Sequence, residues 1–196
     1  AYKLNQLPGI QPLVTDQSPA VTVPVYSVDT GIFFERKLNW LNGATQTFEP
    51  RLMYLRSAYK DQSALPDFDT REFTPSYDLL FRDTRFVGGD RISDDKRLTA
   101  GVTTRLIDPS SGQERFRASI AQSVYYADRR VMLTTAPFAE EFAEMGRDRS
   151  VIALELAARV TNNWRFTSDI VYDDLDNHLE KTGFSARYND RKKRIF

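Results

Sequence analysis

The chain has 196 residues, with 27 Lys plus Arg against 27 Asp plus Glu, so its formal charge is zero and no global field draws in nucleic acid or an anionic surface. It contains no cysteine, which excludes a disulfide framework, a thiolate metal site and a catalytic thiol within these residues. Hydrophobic residues make up 41% and aromatic residues 12%, enough for one ordinary core or for a sheet with one apolar face, and too much for a disordered chain.

The longest aliphatic run, Val151-Ile152-Ala153-Leu154, is broken by Glu155, far short of the ~20 apolar residues that a spanning helix needs. Any bilayer span must therefore be a strand. Ala1 to Pro12 carry no basic patch followed by an apolar stretch, so no signal peptide is visible there and the chain reads as a mature start or a fragment.

In chain order, the first ~28 residues, with Pro8, Pro12, Pro19 and Pro24, suit short edge strands or connections. Gly31 to Leu38 and Thr45 to Tyr59 then read as a hairpin around Leu41-Asn42-Gly43, Asn-Gly being a strong reversal signal. Its alternation is imperfect. Phe33 and Phe34 are adjacent, and Met53 and Leu55 share a face with Glu49 and Arg51, which leaves room for a bulge. Residues 60–94 form a long loop.

The clearest period-two signal runs from Arg97 to Ile107, where Leu98, Ala100, Val102, Thr104 and Leu106 oppose Arg97, Thr99, Gly101, Thr103 and Arg105. About eleven residues exceed the usual globular strand of about five or six and match the 9–11 that a tilted strand needs to cross a bilayer. Asp108-Pro109-Ser110-Ser111-Gly112 reverses the chain, and from Arg115 to Tyr126 Phe116, Ala118, Ile120, Val124 and Tyr126 repeat the apolar face. A second long loop, 127–148, contains a short helical pattern from Pro137 to Met145 that local packing of Phe138, Phe142 and Met145 explains. Ser150 to Val160, Trp164 to Tyr172 and His178 to Tyr188 complete two more hairpins, and Lys192 to Phe196 begins a further strand. The basic run Arg191 to Arg194 lacks the alternation of a closing strand, so truncation is expected. Short turns alternate with long loops, the rhythm of outer-membrane barrels. Trp40, Phe48, Tyr125, Tyr126, Trp164 and Tyr172 are candidates for interfacial girdles. A soluble β-sandwich or lipocalin-like barrel shares the alternation.

Two segments go beyond pattern. Gly31 to Arg36 followed by Thr45-Gln46-Thr47-Phe48-Glu49-Pro50-Arg51 resembles the paired "FER" and "TQTLEPR" strands of the LptD family, with Phe48 where that family often has Leu. Leu80 to Ile92 resembles its "LFRDDRFxGxDRI" loop, Tyr59 to Ser63 its "YRDQS", and Thr99 to Arg105 with Arg115-Phe116 extends the likeness. The resemblance implies an antiparallel transmembrane β-barrel, of which about nine strands lie in this all-β chain. It also implies membership of the machinery that inserts lipopolysaccharide into the outer leaflet of the Gram-negative outer membrane. Its implied partners are the lipoprotein LptE inside the barrel, lipopolysaccharide, membrane lipid, and periplasmic bridge proteins that act through a domain absent here. No cofactor is implied. The family's gate strands and disulfide cysteines have no match in this chain.

The loop residues Phe81, Arg82, Asp83, Arg85, Gly88, Gly89, Asp90 and Arg91 form a candidate docking segment, whose charges can order a loop that lies against LptE or caps the lumen while the glycines permit positive φ. Strand parity puts Arg105 and Arg117 opposite the apolar set, hence toward a wet lumen, with Glu35, Glu49 and Arg51 joining them less securely. Asp173, Asp174, Asp176 and Asn177 superficially suggest a calcium loop, but the glycine and distal glutamate are missing and an Asx-rich turn is expected. His178 is the single histidine and has no partnered nucleophile, so no catalytic set is assembled. The competing readings are another pore or channel, a soluble β-sandwich binding module, and a barrel-type enzyme.

Overall fold

A computed structural model describes residues 20–133 and 145–189. The expected helical turn from Pro137 falls almost wholly outside them, as does the further strand from Lys192. In the described residues, alternating side chains build strands β1 (Val25–Gly31), β2 (Phe34–Leu38), β3 (Ala44–Ser57), β4 (Arg71–Glu72), β5 (Phe86–Val87), β6 (Lys96–Ile107), β7 (Glu114–Tyr125), β8 (Ile152–Arg159), β9 (Trp164–Asp173) and β10 (His178–Tyr188), with one short helix, α1 (Tyr77–Leu80). β4 and β5 pair only with each other. The other eight form one antiparallel sheet in the order β1-β3-β6-β7-β8-β9-β10, with β2 also on β3, and it is open at the β1/β2 and β10 edges. No helix among the described residues is long and apolar enough to cross a membrane.

The bulge for which the Phe33-Phe34 hairpin left room is not there. Register runs unshifted along β3 against β1, β2 and β6. What interrupts the edge strand at Ile32 and Phe33 is Pro50 opposite: its carbonyl accepts the Ile32 N–H at 3.0 Å, but it has no N–H to return the bond. Bulges sit instead between Leu106 and Ile107 against β7, and at Glu180 between Leu179 and Lys181. Strand β1, seven residues from Val25 at the edge of the sheet, follows Pro24, in keeping with the short edge strands that the proline spacing suggests.

The tight turns follow local chemistry. A one-turn 3-10 helix at Asn39–Leu41 is followed by Asn42 and Gly43 at φ 52° and 76°, and Gly43 N–H bonds back to the Leu38 carbonyl. Asp108 accepts from the N–H groups of Ser110 and Ser111 and from Arg115, while Gly112 takes φ 65°. Thr161 Oγ1 accepts from Asn163 and Trp164. All three lie at one end of the sheet; residues 58–95 and 126–151 connect strands at the other.

The two faces differ. Even-numbered strand residues stand outward and exposed: Val28, Phe34, Phe48, Leu52, Ile120, Val124, Trp164 and Phe184 all exceed 40% exposure. At the tight-turn end Trp164 stacks on Phe166 with centroids 5.8 Å apart and meets Tyr188 at 5.1 Å, an aromatic cluster on the outer surface. A soluble monomer rarely exposes so continuous an apolar face. Trp40, 79% exposed, belongs to the same end. Tyr125 does not join a girdle: it is odd-numbered and turns to the inner face, where Arg129 lies 4.2 Å over its ring.

Candidate functional site: an inner face covered by a loop

The odd-numbered face is floored by a row of small residues. Gly101 on β6 is paired with Ala121 on β7, which is paired with Ala153 on β8. Two hydroxyl pairs border this row, Thr99 with Ser123 at 2.7 Å and Thr103 with Ser119 at 2.9 Å, all four side chains buried. Helix α1 lies on this floor. Thr99 Oγ1 donates to the Leu80 carbonyl at 3.0 Å, and Thr103 Oγ1 bonds the Tyr77 hydroxyl at 3.2 Å. Tyr77, Leu80 and Phe81 form a closed cluster with Met53, Leu55, Ala121 and Ala153, in which Leu55 is 0% exposed. Burying three such side chains contributes on the order of 1.5–3 kcal/mol each.

The wet lumen expected along the odd face is therefore interrupted: beneath α1, from Met53 and Leu55 across Thr99, Ala121 and Ala153, the face is closed against water. This closure also explains the mixed face of β3, since Met53 and Leu55 meet the loop while Glu49 and Arg51 lie nearer the tight turns. Serine and threonine read as wettable in sequence, but a hydroxyl satisfied by its neighbour and by the loop needs no water. Gly101 was the available signal, because a glycine inside a strand often marks close approach of another segment.

The docking residues divide. Phe81 is buried, with its ring on Gly101 and under Arg51, whose guanidinium carbon lies 4.3 Å from the ring centre. Arg85 pairs with Glu72 at 3.1 Å and Asp94 at 3.4 Å, and donates to the Val131 carbonyl. Arg91, also buried, donates to the carbonyls of Pro66 and Met132. Asp94 accepts from the N–H groups of Arg130 and Val131. These bonds tie loop 58–95 to the start of loop 126–151. Of the two glycines only Gly88 uses positive φ, at 96°, and a Cβ there would meet Asp69 Oδ1 at 2.8 Å. Gly89 has open space and an ordinary φ. Arg82 and Asp83 remain exposed; the Arg82 guanidinium stands 4.9 Å from the Phe73 ring centre and its carbonyl accepts from Arg97.

Asp90 accepts the N–H groups of Phe68 and Asp69 at 2.8 and 3.0 Å, and these bonds hold its carboxyl below the ordinary range. A lowered folded-state pKa contributes stability above the unfolded value of about 4 and loses it as pH falls through the folded value. Hydrogen-exchange protection at Phe68 and Asp69 is therefore expected to hold from neutral pH down to that region and then fall, whereas in Asp90→Asn it is low at every pH. Protection that declines already between pH 7 and 5 contradicts this.

Four of the five residues expected to face the lumen, Glu49, Arg51, Arg105 and Arg117, line one polar cavity of about 410 Å³ with Asp29, Asp78 and Glu155. Arg51 clasps Asp29 through two hydrogen bonds, Arg105 pairs with Glu49 at 3.2 Å and Glu114 at 3.6 Å, and Arg117 with Glu114 at 3.7 Å. Glu35 stands apart, exposed on β2 opposite Thr47. Near β10, Asp173 accepts from the N–H groups of Leu175 and Asp176 in an Asx turn. Asp176 and His178 lie close enough to Asp173 to share an ion, but the Arg147 guanidinium already bridges the two aspartates.

An antiparallel wall with a lipophilic outer face and an inner face of paired charges, hydroxyls and a docked loop defines a segment of an outer-membrane β-barrel. The family model for "LptD: LPS transport system D" matches residues 2–196, and the chain belongs to that family. It is 39% identical over 180 residues to the LPS-assembly protein LptD of Hahella chejuensis, covering 91% of this chain and 22% of that protein. It is 37% identical over 187 residues to that of Polaromonas sp., covering 94% and 22%. Over 126 residues it is 48% identical to that of Pseudomonas syringae pv. tomato, covering 64% and 14%. The chain thus spans about a fifth of the length of such relatives.

Proposed function

We propose that this chain is part of the barrel wall through which lipopolysaccharide reaches the outer leaflet of the Gram-negative outer membrane, with LptE as partner inside the barrel and periplasmic bridge proteins acting through a domain outside these residues. The observation that carries the reading is the two-sided wall: even-numbered side chains suit hydrocarbon, while the opposite face is matched to protein and water. In lipid every backbone group must be bonded internally, so the open edges call for further strands. The role is structural and transport-directed, not enzymatic; its chemistry is a hydrogen-bonded wall and a lumen whose charges are paired.

Within this reading, loop 58–95 and the segment 126–133 bonded to it cap the lumen, and the exposed Arg82 and Asp83 form the rim that meets LptE. Arg85 and Arg91 are engaged within the cap, so their replacement would report on folding. The informative variant is Arg82→Glu with Asp83→Lys in the intact protein. Co-purified LptE is expected to fall several-fold, and more steeply in low salt, because rim charges act mainly on association. Undiminished LptE at both salt concentrations would remove the docking role from this rim.

A further inference from the structure

On β3, β6 and β7 each inward arginine has an acidic partner; on β8, β9 and β10 the pattern changes. Arg159 is directly opposite Arg165, and Arg165 is directly opposite Arg187. All three are odd-numbered and share the inner face. Arg159 donates to Gln113 Oε1 at 2.7 Å, while the side chains of Arg165 and Arg187, both exposed, make no hydrogen bond or ion pair among the described residues. Like charges directly opposite across strands are destabilising. The fold tolerates the row in full register on three adjacent strands.

One register step inward lie Ala157, Thr167 and Ser185, and the step beyond pairs Glu155 with Asp169, next to Gly183. Charge on this part of the wall is thus sorted into rows of one sign; on β6 and β7 Arg105 is likewise opposite Arg117, but Glu49 and Glu114 neutralise that pair. Behind the arginines, on the outer face, stand Trp164, Phe166 and Tyr188 of the aromatic cluster, so the row lies at the level of the tight-turn end of the wall. A cavity of about 150 Å³ opens beside Arg159 and Arg165, lined also by Arg115 and by Glu114, whose carboxylate is engaged with Arg105 and Arg117.

We propose that Arg159, Arg165 and Arg187 form a binding row for phosphate groups on a saccharide or lipid headgroup at the tight-turn mouth of the lumen. Guanidinium groups bind phosphate through paired N–H donors and retain their charge in any environment. Strands are ~4.8 Å apart, so three arginines span roughly 10 Å, wide enough for two phosphates on one molecule. The Glu155 and Asp169 row repels the same groups and fixes which way they point. The proposal rests on the inner face being the lumen.

The test uses the intact protein in neutral detergent, titrated with a bisphosphorylated glucosamine disaccharide and with the same sugar lacking phosphate. A second arm uses micelles doped with phosphatidylglycerol or phosphatidylcholine. The phosphorylated sugar is expected to bind, more weakly as salt rises, and Arg165→Gln with Arg187→Gln to weaken it by about tenfold per arginine. Binding of phosphatidylglycerol alone assigns the row to lipid headgroups, and binding of the sugar alone to saccharide phosphates. Because the substitutions remove like-charge contacts, resistance to denaturant should be unchanged or higher, which a merely structural role would not give. The proposal is overturned if the phosphorylated sugar binds no better than the phosphate-free sugar and phosphatidylglycerol no better than phosphatidylcholine, or by unaltered affinity in the double variant. Loss of a co-purifying protein with affinity unaltered would overturn it as well, and assign the face to protein docking. Thr167→Cys and Phe166→Cys test the lumen separately: a water-soluble reagent should reach the first and a bilayer-confined one the second.

Discussion

Gly101→Val is expected to lift loop 58–95 off the wall. A Cβ on Gly101 would lie 2.9 Å from the Phe81 ring, 3.0 Å from the Ala121 methyl and 3.1 Å from the Ile120 carbonyl oxygen. The backbone and the methyl cannot retreat without breaking the β6 to β7 ladder, so the ring must move. Overpacking of this kind costs about 1–3 kcal/mol, and displacing Phe81 also removes its contact with Arg51. Phe81→Ala, which empties the same place, is expected to cost about 3–5 kcal/mol. Limited proteolysis of the intact protein reads both: cleavage within 58–95 should accelerate while the strands stay protected. Adding Phe81→Leu to Gly101→Ala should recover part of the protection, since a smaller side chain leaves room for the methyl. Cleavage at the original rate in Gly101→Val would show that α1 does not rest on this row.

A charge on the outer face is expected to have the other large effect. Ile120 and Leu154 are direct cross-strand partners, Ile120 lies near the middle of β7, and it is 41% exposed. If that surface meets hydrocarbon, Ile120→Arg or Leu154→Arg costs roughly 2–4 kcal/mol, whereas Val160→Arg, beyond the strand end, costs about 0–1. Ser185→Asp, on the inner face beside Arg165 and Arg187, should be tolerated. Denaturant titration of the intact barrel folded into lipid vesicles gives each difference. If Ile120→Arg and Val160→Arg proved equally benign, no depth gradient would exist and the outer face would not be in lipid.

These predictions separate what could be read locally from what could not. Alternation from Leu98 to Leu106 and from Phe116 to Val124 was legible because side chains in a strand change face at every residue, whatever lies beyond. The turns were legible for a similar reason: Asn42-Gly43 and Asp108 to Gly112 carry their own backbone preferences and hydrogen bonds. The mixed face of β3 was legible as a fact and misread as a cause, because a bulge and a covering loop leave the same irregular pattern in sequence.

The candidate site was half visible. Parity brought Glu49, Arg51, Arg105 and Arg117 to one side, and the structure gathers them around a single cavity. That Arg85 and Arg91 hold two loops together, while Arg82 and Asp83 stay outside, depends on partners such as Val131 and Met132 far away in the chain. The in-register arginines of β8, β9 and β10 likewise emerge only when three strands are aligned.

The amino-acid sequence alone determined that the chain forms long two-sided strands with tight reversals at one end, and which side chains each face carries. Only the tertiary structure decided that the hydroxyl-lined face is dry beneath α1, that Phe81 rests on Gly101, and that charges are paired across some strands and stacked in like rows across others. The reason is range: strand faces and turns are set by neighbours in the chain, whereas burial and ion pairing depend on register between segments that meet only when the sheet and its loops are assembled.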